Sequence, residues 1–236
     1  MPQFDAGILK RWGETFVIPA NYYAASICTC NAKNGGNPDP LCPYCVQGWV
    51  YNADGPVAVE IVRTAPNLRA IPQEIATIFI GGARITIPEL LKSGESNPAF
   101  ANVHRGDVFA ITAFLERHSD VLLRGTRDKL WAFEVSSIVL VRDEDGVEYA
   151  ESGDFLLSDG TLLWESGRGP AVGKYYSCEF QAPAQFIVYG AEPTHRGGGN
   201  SGAVLPKTVL AVRRAYQPNT TDHPLSPLAR GIEMER

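Results

Sequence analysis

The sequence predicts a mainly β protein: an antiparallel β-barrel or sandwich with an N-terminal four-cysteine, zinc-ribbon-like lobe and extended terminal arms. From residue 57 onward, short runs rich in Val, Ile, Phe and Tyr are separated by turn residues, and helical periodicity is nearly absent. The chain has 23 Gly and 17 Pro but only two Met, which favours many turns over long helices. Consecutive hairpins must each bury one face, so they close into a barrel or pack as a sandwich.

Composition divides the chain into four segments: an N-terminal arm at residues 1–21, the four-cysteine lobe at 22–56, the barrel or sandwich at 57–215, and a C-terminal arm at 216–236. Both arms carry Pro and polar residues without periodicity. Because a segment with no core of its own is normally ordered only against another surface, we expect the arms to lie on a neighbouring subunit.

The overall composition excludes several classes of protein. With 236 residues, 44% of them hydrophobic and 20% charged, the chain can bury a core without disulfides and is neither fibrous nor mostly disordered. Its formal net charge of -5 disfavours a general nucleic-acid binder, which needs a surplus of Lys and Arg. We recognise no secretory signal or membrane span, and therefore expect synthesis in a reducing cytoplasm and no membrane partner.

Four of the five cysteines form a cluster with metal-ligand spacing: Cys28, Cys30, Cys42 and Cys45. The pairs Cys-x-Cys and Cys-Pro-Tyr-Cys are joined by a loop that can bring them together around one ion, so the sequence predicts a structural Zn²⁺ site. Iron, two redox pairs or four free thiols remain alternatives. A catalytic zinc is disfavoured because four thiolates close the coordination shell. Cys178, in an apolar run, is predicted to be a small buried hydrophobe.

Turn residues predict the hairpins of the barrel in order. Residues 77–80 and 83–87 flank a Gly-Gly pair suited to a primed turn. The run 107–116 is predicted to turn at residues 118–120 into a return strand. Alternating apolar residues at Trp131, Phe133 and Val135 predict a further strand, followed by a turn at residues 143–146 and another at 158–160. Residues 88–94 are the one helix candidate after the first fifty residues, with Pro at the start and Gly at the stop.

No pattern points to catalysis, and we expect a protein that is not an enzyme. The glycine-rich run at residues 195–202 lacks the strand-to-helix context of a phosphate loop. Residues 105–107, Arg-Gly-Asp, are interpreted as turn residues before an apolar strand, as are the acidic residues at 143–146. A hydrolase or transferase remains an alternative, for which Glu134, Asp154 and Glu165 are candidate residues, although their spacing implies no pairing.

Two stretches of the sequence resemble one family. The pattern CTCN…CPYCVQGWVY, at residues 28–51, is similar to the cysteine-knuckle segment of neck, or connector, proteins of tailed bacteriophages. Residues 159–189 also resemble part of their β-barrel, with a Trp-x-x-Gly, a Gly-Pro turn, an aromatic strand and a Pro-aromatic strand. The matching residues are Trp164, Gly167, Gly169, Pro170, Gly173, Tyr175, Tyr176, Pro183 and Phe186.

The resemblance implies a virion structural protein that forms a ring of identical subunits between the capsid portal and the tail. Its partners would be portal or adaptor and tail proteins, and genome DNA would pass through without sequence-specific binding, since an acidic surface repels phosphates. Another virion part, in the tail, baseplate or capsid decoration, is the near alternative. A zinc-ribbon nucleic-acid-binding protein is the alternative from another class, but residues 28–51 offer only Lys33 against Asp39.

Overall fold

The computed structural model describes residues 17–33, 35, 45, 48–51, 55–64, 82–125, 128–191 and 206–213. Within these residues the chain is mainly β, as predicted. The strands are β1 (Ile18–Tyr23), β2 (Ala25–Ile27), β3 (Trp49–Tyr51), β4 (Val57–Thr64), β5 (Ala83–Ile87), β6 (Val108–Leu123), β7 (Ser137–Asp143), β8 (Glu148–Tyr149), β9 (Phe155–Ser158), β10 (Thr161–Trp164), β11 (Tyr175–Ala191) and β12 (Lys207–Arg213). Two short helices are α1 (Thr29–Lys33) and α2 (Pro98–Asn102).

Six strands close into an antiparallel barrel in the order β12-β5-β4-β1-β6-β11, and pairing of β11 with β12 completes the ring. The predicted barrel is therefore confirmed. Strand β1 lies between β4 and β6, with Ala20 opposite both Val59 and Ile111. Closure removes the unpaired edges that an open sheet would leave, so each barrel strand finds backbone partners on two sides.

By its internal contacts the chain divides into two compact units, and β6 and β11 contribute residues to both. The first unit comprises Met1–Ser26, Tyr51–Phe114 and Ala184–Arg214. Its core consists of alternate residues of the barrel strands, such as Ile61 and Ile85, which are fully buried. Side chains alternate between the two faces of a β-strand, so every second residue of these strands lies inside the barrel.

The second unit comprises the described residues of Ile27–Val50 and Leu115–Pro183. Within it, β11 pairs with β7, β7 pairs with β8, and β9 and β10 form a separate two-stranded sheet. A second hydrophobic core lies here and includes Leu122, Val141, Phe155, Leu162, Tyr176 and Phe180. The predicted domain of residues 57–215 thus contains parts of two units, each with its own core.

The predicted turn at residues 118–120 is wrong, because β6 runs through it without interruption. The polar residues that suggested a turn have partners within the second unit. The buried Asp120 carboxylate accepts hydrogen bonds from the backbone N–H groups of Val121 and Trp131, at 2.8 and 3.3 Å. The His118 ring lies edge-on to Trp131, with ring centroids 5.2 Å apart. These contacts outweigh the local turn preference of His-Ser-Asp.

Two further element predictions are corrected. Residues 88–94 form turns instead of a helix, and the helix lies later, at α2, where the Asn97 side chain accepts a hydrogen bond from Ala99 N at 3.2 Å. Asn followed by Pro is the stronger start signal, since Asn supplies the N-cap that residues 88–94 lack. The predicted strand at Trp131–Val135 is a series of bends with Glu134 at φ +54°, and β7 begins only at Ser137.

The turns at residues 143–146 and 158–160 are confirmed. In the second, Asp159 and Gly160 both have positive φ, as a primed hairpin turn requires between β9 and β10. In the predicted hairpin of residues 77–80 and 83–87, the second half is β5, which pairs with β4 and β12, while the first half lies outside the described residues.

The predicted arms fall mostly outside the described residues, which begin at residue 17 and end at residue 213. Residues 18–21, assigned to the N-terminal arm, lie in β1 and pair with β4 in the barrel. The predicted boundary between arm and lobe therefore falls inside a barrel strand. Ala20 and Tyr22 are both buried and lie two residues apart. This alternation is the sequence signal that could have predicted strand β1.

Gly169 fits against the face of Trp164 in the second unit. A Cβ added there would lie 2.2 Å from the indole, and the residue has φ +84°. We expect Gly169→Ala to lower the free energy of unfolding by about 3 kcal/mol, from overpacking and backbone strain together. Gly167→Ala is the matched control: it has φ +75° but nothing within 4 Å, so only the strain, about 1 kcal/mol, applies.

Urea unfolding followed by tryptophan fluorescence measures both values. Equal destabilisation by the two variants would contradict a role for the Trp164 contact.

Candidate functional site

The cysteine segment, residues 28–48, is held at its two ends by a short sheet. Strand β2 leads into Cys28 and pairs with β3, which follows Gly48. The backbone N–H of Cys28 donates a hydrogen bond to the carbonyl of Gly48 at 2.8 Å, so the start and end of the segment are joined. Gly48 has φ +84°, a left-handed conformation that only glycine adopts without strain.

Three thiols converge in this segment. The Sγ atoms of Cys28, Cys30 and Cys45 all lie within 4.8 Å of one another, and those of Cys30 and Cys45 are 3.6 Å apart. Cys28 and Cys30 are buried and Cys45 is half-buried. A disulfide needs sulfur atoms about 2.05 Å apart, so these cysteines are free thiols.

The spacing of the thiols fits a shared metal ion. Thiolates bound tetrahedrally at about 2.3 Å, the zinc–sulfur distance, lie about 3.8 Å from one another. The 3.6 Å separation of Cys30 and Cys45 is close to this value. Among the described residues this is the one group of three or more His, Cys, Asp or Glu side chains close enough to share an ion.

The structure thus brings together three of the four predicted ligands. Cys42, the fourth, lies outside the described residues. Cys178 lies apart from them in sequence, on β11, where it is fully buried in the core of the second unit. Burial raises the pKa of its thiol to about 12, so it stays protonated at neutral pH, as expected of a small core residue.

A buried carboxylate in the first unit was missed by sequence reasoning. Asp107, interpreted only as a turn residue, is fully buried and accepts hydrogen bonds from Tyr22 Oη at 2.6 Å, Ala25 N at 2.8 Å and His104 N at 2.8 Å. His104 Nδ1 lies 3.0 Å from the same carboxylate. Burial, followed by the hydrogen bond to Asp107, raises the pKa of Tyr22 far above its usual range.

The turn at residues 104–107 fixes the chain where it enters and leaves the cysteine segment. Ala25, the first residue of β2, is bonded to Asp107, and the Tyr51 hydroxyl at the end of β3 donates to the carbonyl of Gly106 at 3.2 Å. Both contacts lie within the first unit. A His three residues before an Asp, directly ahead of an apolar strand, is the sequence signal that could have drawn attention to this turn.

Two of the remaining acidic residues, Asp154 and Asp143, accept hydrogen bonds within the second unit. Asp154 accepts a hydrogen bond from Ala150 N at 2.9 Å, and its own carbonyl accepts one from Glu165 N, also at 2.9 Å. Asp143 accepts from Tyr149 Oη at 2.6 Å; this bond lowers the pKa of Asp143 and raises that of Tyr149 to about 12. The glycine-rich run at residues 195–202 lies outside the described residues.

No protein-family model matches the chain, and no curated protein matches it significantly. In the described part of the chain, neither helix has the length and apolar character needed to cross a membrane.

Proposed function

We propose that this chain is a structural assembly protein of a tailed-phage virion, which forms a ring in the neck between the capsid portal and the tail. Its partners in this role are other copies of itself and the portal or adaptor and tail proteins of the particle. Genome DNA passes through the ring without sequence-specific contacts. The proposal rests on the sequence resemblance and on two observations in the second unit.

The first observation is that residues of the resemblance build the scaffold. Tyr176 is buried in the core, and its Oη donates to the Asp128 carboxylate at 2.6 Å. The Trp164 indole N–H donates to the same carboxylate at 3.2 Å, and Gly169 lies against the indole ring. These side chains hold strands and turns together. The residues that resemble the neck proteins therefore stabilise the fold of the second unit.

The second observation carries the assembly role: an apolar pair faces solvent on the outer side of the β9–β10 sheet. Leu156 and Leu163 lie directly opposite each other and are 48% and 51% exposed, while the inward pair, Phe155 and Trp164, packs in the core. A leucine pair set on a rigid hairpin gains free energy when another subunit covers it. A second copy of this chain is the occupant we assign to it.

In this role the three cysteines, with Cys42 as the fourth ligand, hold a structural Zn²⁺. Zinc suits an all-thiolate tetrahedral site and supplies no redox chemistry, which fits a lobe that must stay rigid. Segments this short and polar seldom fold without the ion, since metal binding provides much of their folding free energy.

The assembly role predicts closed rings. We expect negative-stain electron microscopy of the purified protein to show them, and Leu156→Ser/Leu163→Ser to weaken self-association about tenfold or more while the chain keeps its folded circular dichroism spectrum. Ser158→Ala/Thr161→Ala, on the same outer face of the hairpin, is the control and should assemble normally. A wild-type protein that remains monomeric at every concentration in sedimentation equilibrium would contradict the proposal.

A further inference from the structure

The three described cysteines of the cysteine segment differ in their exposure. Cys28 and Cys30 are buried, whereas Cys45 is half-buried, so a small solute reaches the Cys45 sulfur most readily. Oxidation of a cysteine requires contact between the oxidant and the sulfur, and therefore begins at the accessible member of such a group. Cys45 is the sulfur that we expect an oxidant to attack first.

Cys30 is placed to complete such a reaction. Its Sγ lies 3.6 Å from the Sγ of Cys45, so a disulfide of about 2.05 Å requires the two sulfurs to approach by about 1.5 Å. A rotation of either side chain about its Cα–Cβ bond supplies this shift. Cys28 is a poorer partner for Cys30, because side chains two residues apart at the start of a helix do not face each other.

Cys30 and Cys45 lie at opposite ends of the loop that a bound ion would close. Cys30 is in α1, shortly after β2, and Cys45 comes shortly before Gly48 and β3. A covalent bond between the two sulfurs closes the same loop as an ion that both of them bind. Such a bond would restrict the unfolded segment in place of the ion.

We propose that this site has two closed forms, a zinc form under reducing conditions and a Cys30–Cys45 disulfide form under oxidising conditions. The oxidant is hydrogen peroxide or another peroxide. The Cys45 thiolate attacks it to form a sulfenic acid and hydroxide, and the Cys30 thiolate then attacks the sulfenic sulfur, forming the S–S bond and releasing a second hydroxide. The two thiolates lose two electrons and the peroxide gains them. The site keeps only two thiolate ligands and releases Zn²⁺.

The inference rests on the proposed zinc site and on the proposed virion role. A particle assembled in a reducing cytoplasm later meets oxidising surroundings, in which disulfides form and persist. Exchange of the ion for a disulfide would keep the cysteine segment closed in both environments.

Peptide mapping of the zinc-loaded protein tests the exchange. Trypsin cuts after Lys33, between the two cysteine pairs, so a disulfide within either pair leaves two separate peptides, whereas a Cys30–Cys45 bond links them. After treatment with stoichiometric hydrogen peroxide, we expect zinc release, read with a chromogenic chelator, to rise together with the linked peptide. Fragmentation should place the bond at Cys30 and Cys45. Dithiothreitol with added Zn²⁺ should reverse both changes.

Limited proteolysis shows whether the disulfide replaces the ion. The oxidised segment should resist cleavage about fivefold longer than the reduced segment from which a chelator has removed the zinc. Equal cleavage rates would overturn the second closed form. Cys178→Ala is the matched control, since this cysteine is buried in the core of the second unit; the variant should release zinc and form the linked peptide as the wild type does.

The outcomes separate this inference from the zinc site on which it rests. Zinc release without the linked peptide, a bond within one cysteine pair, or a zinc-loaded protein that peroxide leaves unchanged would overturn the exchange while the zinc site stands. A wild-type protein that binds no zinc would overturn the metal site, and the exchange with it.

Discussion

Replacing Cys30 or Cys45 with serine is expected to abolish metal binding and to unfold the cysteine lobe while sparing the barrel. Each thiol lies within 4.8 Å of the other two in the group, so the loss of one removes a ligand that a closed tetrahedral site cannot replace. Cys42→Ala should have the same effect. Elemental analysis should show bound zinc falling from about one ion per chain to almost none, and limited proteolysis should then cut within residues 27–50.

Cys178→Ala is the control that the chain itself provides. This cysteine is buried in the core of the second unit, and its variant should keep its full metal content even if it is less stable. Unchanged metal content and unchanged proteolysis in the Cys30 and Cys45 variants would show that the three thiols hold no structural ion.

Asp107→Asn is expected to destabilise the protein by about 3 kcal/mol. One carboxylate oxygen accepts from Ala25 N and the other from His104 N. Whichever way the asparagine amide is turned, its NH₂ group therefore faces a backbone N–H donor inside a fully buried site. The variant loses one of the two acceptor oxygens, and burial prevents water from replacing it, which is the condition under which a lost hydrogen bond costs most.

Guanidinium unfolding followed by circular dichroism measures this loss. Tyr22→Phe removes a single donor to Asp107 and should cost only about 1 kcal/mol, while Asp145→Asn in the exposed turn after β7 should change stability by less than about 0.5 kcal/mol. A value for Asp107→Asn no larger than that of Tyr22→Phe would contradict the role of Asp107 as the shared acceptor of this turn.

Features that depend on local pattern could be predicted from the sequence. The Asp159-Gly160 turn requires two positive φ angles, and few residue pairs other than Asp-Gly or Asn-Gly supply them. The cysteine group was predictable for a similar reason, since two closely spaced pairs, Cys-x-Cys and Cys-x-x-Cys, are the arrangement that a metal needs. In both cases the residues that matter lie in one short stretch of the chain.

Features that depend on distant partners could not be predicted. His118 and Asp120 are residue types typical of turns. In the structure the Trp131 ring packs against His118, and the Trp131 backbone N–H donates to Asp120. The role of Asp107 likewise depends on Tyr22 and Ala25, which lie more than eighty residues away in the sequence and reach it only in the folded barrel. Polar residues inside strands or buried turns are specified by tertiary hydrogen bonds, which local propensity does not contain.

Native mass spectrometry of the purified protein, with and without chelator, tests the central claim most directly, because it reports metal content and subunit number in one spectrum. The account predicts one zinc ion per chain in a closed oligomer, and partial or complete loss of that oligomer when the chelator removes the zinc. A stable, metal-free monomer that is unaffected by chelator would contradict both the structural metal site and the ring.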